Sequence, residues 1–216
     1  TQSDPNKRYS IDYWLNDPKV TEKITLAGCS TAQQHEFACI TVKPCYLRAA
    51  VNCLRGTEIA VGTVIGFPYG ANTSEVKITE VKRALAEGAQ ELALFLNQGY
   101  LIEGKLESLK NELQQLIGLT HMNGAYAKTI LILDYMSDEQ VSKGVDIINT
   151  SHTDLLYIYL NMPWSKSQLG QVTMIKDMLN QAKLWGIVGN FICEKALEES
   201  INLGLTRIGL KEFPVI

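Results

Sequence analysis

The stretch Ile59-Ala60-Val61-Gly62-Thr63-Val64-Ile65 is nearly continuous in hydrophobicity, and the turn Gly66-Phe67-Pro68-Tyr69-Gly70 closes it. A short unbroken apolar run of this kind is what a parallel strand covered on both faces requires. Asn72 then stands three residues before Glu75, which predicts a helix start with Asn72 as the cap. Ile78, Val81 and Leu85 fall on one helical face, and Gly88 ends the segment. One strand, one turn and one amphipathic helix make a β/α unit.

Working outward, the unit recurs along the chain. Further apolar runs lie at Ile11–Leu15, Phe37–Val42, Glu91–Leu96, Thr129–Leu133, Leu155–Leu160, Gly186–Val188 and Thr206–Leu210. Helical signals sit between them. They are Val20–Gln34, the series Leu106, Leu109, Leu113 and Leu116, and a capping box of Ser137 and Gln140 ahead of Val141, Val145 and Ile148. Leu169, Val172 and Ile175 mark another helix, and Leu197 with Ile201, closed by Gly204, the last. Strands therefore repeat at about 25 residues, with no linker rich in Pro, Gly or Ser and no low-complexity segment. Eight units in one series predict a single (β/α)₈ TIM barrel over residues 11–216, behind a polar N-terminal tail at 1–10. A doubly wound open sheet would carry a G-x-G-x-x-G turn, and the sequence has none.

Composition agrees with a globular chain: of 216 residues, 46% are hydrophobic and 20% charged. The formal net charge of −3 argues against nucleic acid or an anionic membrane as the main partner. No apolar run approaches the roughly 18 residues of a membrane span. The polar start, Thr1 to Ser10, lacks the apolar segment of a signal peptide, so a cytoplasmic protein is expected. Cys29, Cys39, Cys45, Cys53 and Cys193 show no C-x-x-C spacing, and the odd count fits reduced thiols.

Barrels of this class place their sites at the C-terminal ends of the strands. The polar residues expected there are Asp12, Lys43, Asn97 with Gln98, Asp134, Asn161, Asn190, and Lys211 with Glu212. Strand interiors Leu92–Leu96, Leu155–Leu160 and Gly186–Gly189 contain no lysine and no carboxylate, which an imine-forming or acid–base site needs. His35 ends a helix, while His121 and His152 fall in loops, none at ligand spacing, so neither a metal nor a cofactor is expected. Cys45, after Lys43-Pro44, reads as a small buried residue opening the second helix.

Several motifs together carry a family resemblance. Ile11-Asp12, Phe37-Ala38-Cys39, Lys43-Pro44-Cys45-Tyr46 and above all Val61 to Thr73 resemble deoxyribose-phosphate aldolases. So do Glu75-Val76-Lys77, Lys82 to Ala89, Glu91-Leu92, Asn97 and Thr206-Arg207-Ile208-Gly209. The resemblance spans about residues 11 to 210. It implies a class I aldolase barrel, often a homodimer, that cleaves 2-deoxyribose 5-phosphate to glyceraldehyde 3-phosphate and acetaldehyde. The family uses an imine-forming lysine on strand six, a second lysine on strand seven and an aspartate on strand four. At the matching positions this sequence has Tyr157, Gly186 and Ala93. No lysine occurs between Lys143 and Lys166, so no shift of register restores the first. The family's phosphate-binding glycines and hydroxyls are matched by Asn161, Asn190 and Gly209-Leu210-Lys211-Glu212.

The reading that follows is a pseudoenzyme that works by binding a small molecule or a protein, as a homodimer or as a hetero-oligomer with a homologue. Asp12, Lys43, Asn97 and Lys211 are its candidate binding residues. Tyr157 is expected to fill the volume of the missing lysine, with its ring inside the barrel and its hydroxyl either paired or wet. The alternative is an active lyase with relocated groups, in which Lys43 or Lys211 supplies the amine.

Overall fold

The computed structural model describes residues 10–134, 136–160, 166–180, 184–189, 198 and 201–211. Eight parallel strands close into a barrel in sequence order. They are β1 (Ser10–Leu15), β2 (Cys39–Val42), β3 (Ala60–Ile65), β4 (Glu91–Phe95), β5 (Tyr126–Ile132), β6 (Leu155–Leu160), β7 (Leu184–Gly189) and β8 (Arg207–Leu210). Helices α1 (Glu22–Gln34), α2 (Leu47–Cys53), α3 (Ser74–Ala86), α4 (Gln98–Glu103), α5 (Leu106–Met122), α6 (Asp138–Thr150) and α7 (Lys166–Met178) surround it, with a 3₁₀ turn at Pro44–Tyr46. The (β/α)₈ barrel expected from the sequence is the fold.

Alternation along each strand divides the core in two. Outward side chains such as Ile40, Val61, Leu92, Leu131 and Ile158 pack beneath the helices. Inward side chains, among them Trp14, Val64, Phe95, Ile130, Tyr157, Tyr159 and Val188, fill the barrel. At about 25 cal/mol per Å² of apolar area, this two-sided burial is the main stabilising term.

Local chemistry corrects several expectations. β5 begins at Tyr126, not Thr129, so Lys128 belongs to the barrel interior. Asp12 lies within β1, opposite Cys39 and Gly209, rather than at the strand's C-terminal end. Thr73 precedes α3, and Asn72 does not cap it: its Nδ2 donates to Glu80 Oε1 at 3.0 Å, while Glu80 Oε2 accepts from Gly66 N at 2.7 Å. Asn72 and Glu80 thus tie the β3 turn to the body of α3. Cys45 is exposed, not buried. His121 lies in the last turn of α5, where its Nε2 meets Asp154 Oδ2 at 2.8 Å. The capping box of Ser137 and Gln140 is present at α6. The short α4 was not expected; Asn97 caps it by accepting from Tyr100 N at 3.1 Å. Asn161, Trp164, Asn190, Cys193, Leu197 and Glu212 lie outside the described residues.

The turn after β3 is held from two sides. Lys77 on α3 is fully buried; its Nζ donates to Glu112 Oε1 at 2.6 Å and to Phe95 O at 3.2 Å. Ser74 Oγ donates to the other carboxylate oxygen at 2.7 Å, so α3, α5 and the end of β4 share one polar knot. Gly70 has φ +66°, and a Cβ there would lie 2.1 Å from Leu96 O. A Gly70→Ala variant is expected to lose about 2 kcal/mol or more, read by chemical denaturation, because backbone conformation and close approach both oppose the methyl.

Candidate functional site

A charge-balanced ion network fills the N-terminal half of the barrel. Lys128 on β5 has no exposed side-chain surface, and its Nζ lies 2.6 Å from Asp12 Oδ2 and 2.8 Å from Glu91 Oε2. Thr41 Oγ1 donates to Asp12 Oδ1 at 3.0 Å, and Lys128 Nζ also reaches Thr41 Oγ1 at 3.4 Å and Cys39 Sγ at 3.6 Å. Arg207 on β8 binds Glu91 with two N–H groups, at 2.8 and 3.1 Å, and its Nε donates to Ser10 Oγ at 3.1 Å. Five strands are thereby joined through their side chains.

Burial alone would push the Lys128 ammonium down, but Asp12, Cys39 and Glu91 outweigh it and hold it above the usual lysine range. Burial likewise opposes the Glu91 charge, yet Lys128 and Arg207 hold its carboxyl at about 2. Asp12, Cys39 and Glu91 have the chemistry of a metal-ligand set. The Lys128 ammonium already stands against all three, so the cation that this pocket is built for is its own lysine.

Tyr157 stands above this network. It is fully buried, its ring edge-on to Trp14 with centroids 5.6 Å apart, and its hydroxyl donates to Asp12 Oδ2 at 3.1 Å. The ring lies in the barrel as the sequence leads one to expect, and of the two states open to the hydroxyl, paired or wet, it is paired. Desolvation, followed by the Asp12 charge, pushes its phenol well above the ordinary value, so it stays a neutral donor. Tyr157 pairs in register with Gly186 on β7. A Cβ at Gly186 would lie 2.7 Å from Tyr157 Cε1 and 2.7 Å from Arg207 O. The missing side chain on β7 therefore makes room for the ring on β6. Ala93, on β4, is buried in register with Lys128.

The C-terminal mouth lies beyond this layer. Tyr159 packs against Phe95 and Trp14, with centroids 5.5 and 6.3 Å away. Lys211 Nζ lies 4.2 Å from the Tyr159 ring centroid. Burial lowers the Lys211 amine below the usual lysine range, against the raising pull of Asp17 and Asp134. Each of the four candidate binding residues has partners of its own. Asp12 lies in the network below Tyr157, and Lys43 Nζ donates to Pro18 O at 3.1 Å and Val20 O at 2.8 Å. Asn97 caps α4, and Lys211 stands over Tyr159. Lys128, Glu91 and Arg207 were not among the candidates, although Lys128 sits one residue before a run recognised as a strand.

Curated relatives match nearly the whole chain. A deoxyribose-phosphate aldolase of Thermosynechococcus vestitus is 30% identical over 200 residues, covering 92% of this chain and 90% of the relative. That of Ureaplasma parvum is 31% identical over 184 residues, covering 84% and 83%. The chain belongs to the deoxyribose-phosphate aldolase family. No family model matches it. Solved structures share the fold at lower identity. The tetrameric deoxyribose phosphate aldolase of Aeropyrum pernix superposes with a TM-score of 0.79 at 22% identity, over 93% of this chain and 84% of that one. A further aldolase gives 0.84 at 24% identity, over 95% and 91%.

Two expectations follow for this deoxyribose-phosphate aldolase relative. Lys128→Met should cost about 3 to 5 kcal/mol in denaturant unfolding, because it removes the cation in contact with buried Asp12 and leaves Glu91 to Arg207 alone. Glu91 has a folded value depressed from 4.5 to about 2, so its stabilisation is present above pH 4.5 and is lost as pH falls towards 2. In an acid titration of stability, Glu91→Gln should flatten the fall across that window and lower stability at neutral pH.

Proposed function

We propose that this family member has lost the cleavage of 2-deoxyribose 5-phosphate and retains its barrel for binding. The observation that carries the reading is Tyr157, whose ring occupies the barrel and whose hydroxyl is committed to Asp12. An imine requires an amine that can be neutral. By motif, Tyr157 stands at the family's imine-forming lysine, Gly186 at its second lysine and Ala93 at its aspartate. Tyr157 and Gly186 fit each other sterically, which supports loss as a coordinated change. Lys128 does not substitute, because its carboxylate partners keep it cationic.

Binding follows from what remains. The mouth offers aromatic walls with Lys211 over Tyr159, which supports a small molecule as the bound partner. The Aeropyrum pernix relative is tetrameric, which supports assembly of this chain as a homodimer or as a hetero-oligomer with a homologue. No helix of the described residues is long and apolar enough to cross a membrane, and free Cys29, Cys39, Cys45 and Cys53 fit the proposed cytoplasmic setting.

The test restores the three family groups together, as Ala93→Asp, Tyr157→Lys and Gly186→Lys. The triple variant, checked for folding by circular dichroism, is expected to show no substantial turnover of 2-deoxyribose 5-phosphate, since phosphate recognition has decayed as well. Turnover at a rate typical of an enzyme, about 1 s⁻¹ or more, would contradict that. Co-purification from native cells, read by mass spectrometry, separates self-assembly from pairing with a homologue.

A further inference from the structure

Helices α1 and α2 follow neighbouring strands and pack directly on one another. Cys29 lies midway along α1 on its buried face, a turn before Ala32, and has no exposed surface. Cys53 closes α2 and is exposed. The two side chains meet across the seam, where the Cys29 thiol is hydrogen-bonded to the Cys53 side chain. Both thiols are free. The other described cysteines are placed differently: Cys39 stands against Lys128 in the ion network, and Cys45 is exposed on the 3₁₀ turn.

The pair is asymmetric, and the asymmetry orders its chemistry. Cys53 is the sulfur that an oxidant in water can reach, whereas Cys29 is shielded. Burial, followed by the neighbouring Cys53, also keeps Cys29 protonated. Oxidation of cysteine follows exposure, and the sulfenic acid first formed condenses with a thiol at hand. Cys29 is that thiol. The two β/α units that carry the pair are also fastened elsewhere: Lys43, at the end of β2, donates to Pro18 O and Val20 O in the loop before α1. The sulfurs are therefore held close by the fold, and proximity makes their reaction effectively unimolecular.

We propose that Cys29 and Cys53 form a modification site, which a hydroperoxide oxidises to an internal disulfide that bolts α1 to α2. The Cys53 sulfur takes one peroxide oxygen as the O–O bond breaks, giving a sulfenic acid and releasing water or an alcohol. The Cys29 sulfur then attacks that sulfur. The S–S bond forms, the S–O bond breaks, and the Cys29 proton leaves with the hydroxyl as water. The two thiols lose two electrons and two hydrogens, and the peroxide takes them. A dithiol reductant reverses the change. The site lies outside the barrel interior and stands independently of the reading of Tyr157.

The test uses the full chain, reduced and desalted, with hydrogen peroxide at neutral pH. Remaining thiols are alkylated, and the peptides are mapped by mass without reduction. A linked Cys29–Cys53 peptide is expected at about tenfold or more the yield of any link through Cys45, because only the first pair is preorganised. Dithiothreitol should return both thiols. In Cys53→Ser the link should vanish while Cys29 stays reduced. In Cys29→Ala, Cys53 should accumulate as sulfenic acid, trapped by dimedone. Circular dichroism checks the fold of each variant, and the exposed Cys53→Ser keeps the test decisive if the buried substitution fails to fold. Oxidation of Cys53 onward to sulfinic acid without a link to Cys29 would overturn the proposal. So would links through Cys45 in equal yield, or a Cys53 that peroxide leaves untouched.

Discussion

A charged lysine inside a closed barrel is the constraint on which this structure turns. Taking an ammonium out of water costs several kcal/mol even after relaxation, so Lys128 is tolerable only with carboxylates in contact. Asp12 and Glu91 supply them, from β1 and β4, and Arg207 balances the second charge from β8. Because those residues come from separate strands, the network exists only when the barrel is closed in the correct register. A slip of one residue on any of them would turn its charge to the helix-facing side. The network is therefore a registry device as much as a stabilising one.

Everything above it inherits that geometry. Asp12 accepts from Thr41, Lys128 and the Tyr157 hydroxyl, and Arg207 Nη1 stands 3.9 Å from the same carboxylate. The phenol is positioned by charge below and by Trp14 beside it, and Gly186 leaves the space that its ring needs. A neutral donor thus occupies the strand-six position. The two halves of the interior differ in amine chemistry: below Tyr157 the lysine is cationic and saturated with partners, whereas above it Lys211 is desolvated over a ring. Held cationic by its partners, Lys128 cannot attack a carbonyl.

The fold was legible because hydrophobic period and turn chemistry agree along the chain. β6 was delimited without error, since Leu155 to Leu160 is apolar on both faces. Tyr157 was placed correctly for the same reason. The ion network was not legible. Lys128 interrupts an apolar run, so it read as the residue before a strand, and its partner Asp12 is 116 residues away in sequence. Only the closed sheet brings them together. Alternation did carry a signal: Lys128, Ile130 and Ile132 share one face, and continuing that face backwards would have exposed a buried lysine. Asn72 misled through its spacing to Glu75, because a longer-range carboxylate, Glu80, competed for its amide. Asp12 was assigned to the mouth because a polar residue near a strand end usually belongs there, while its partners pulled it into the interior.

The account stands on a phenol where the family chemistry requires an amine. Its most direct test is a coupled assay on the purified, unaltered chain, with 2-deoxyribose 5-phosphate as substrate and release of glyceraldehyde 3-phosphate followed over time. The account predicts no release above the protein-free background. Sustained release, proportional to protein concentration, would contradict it.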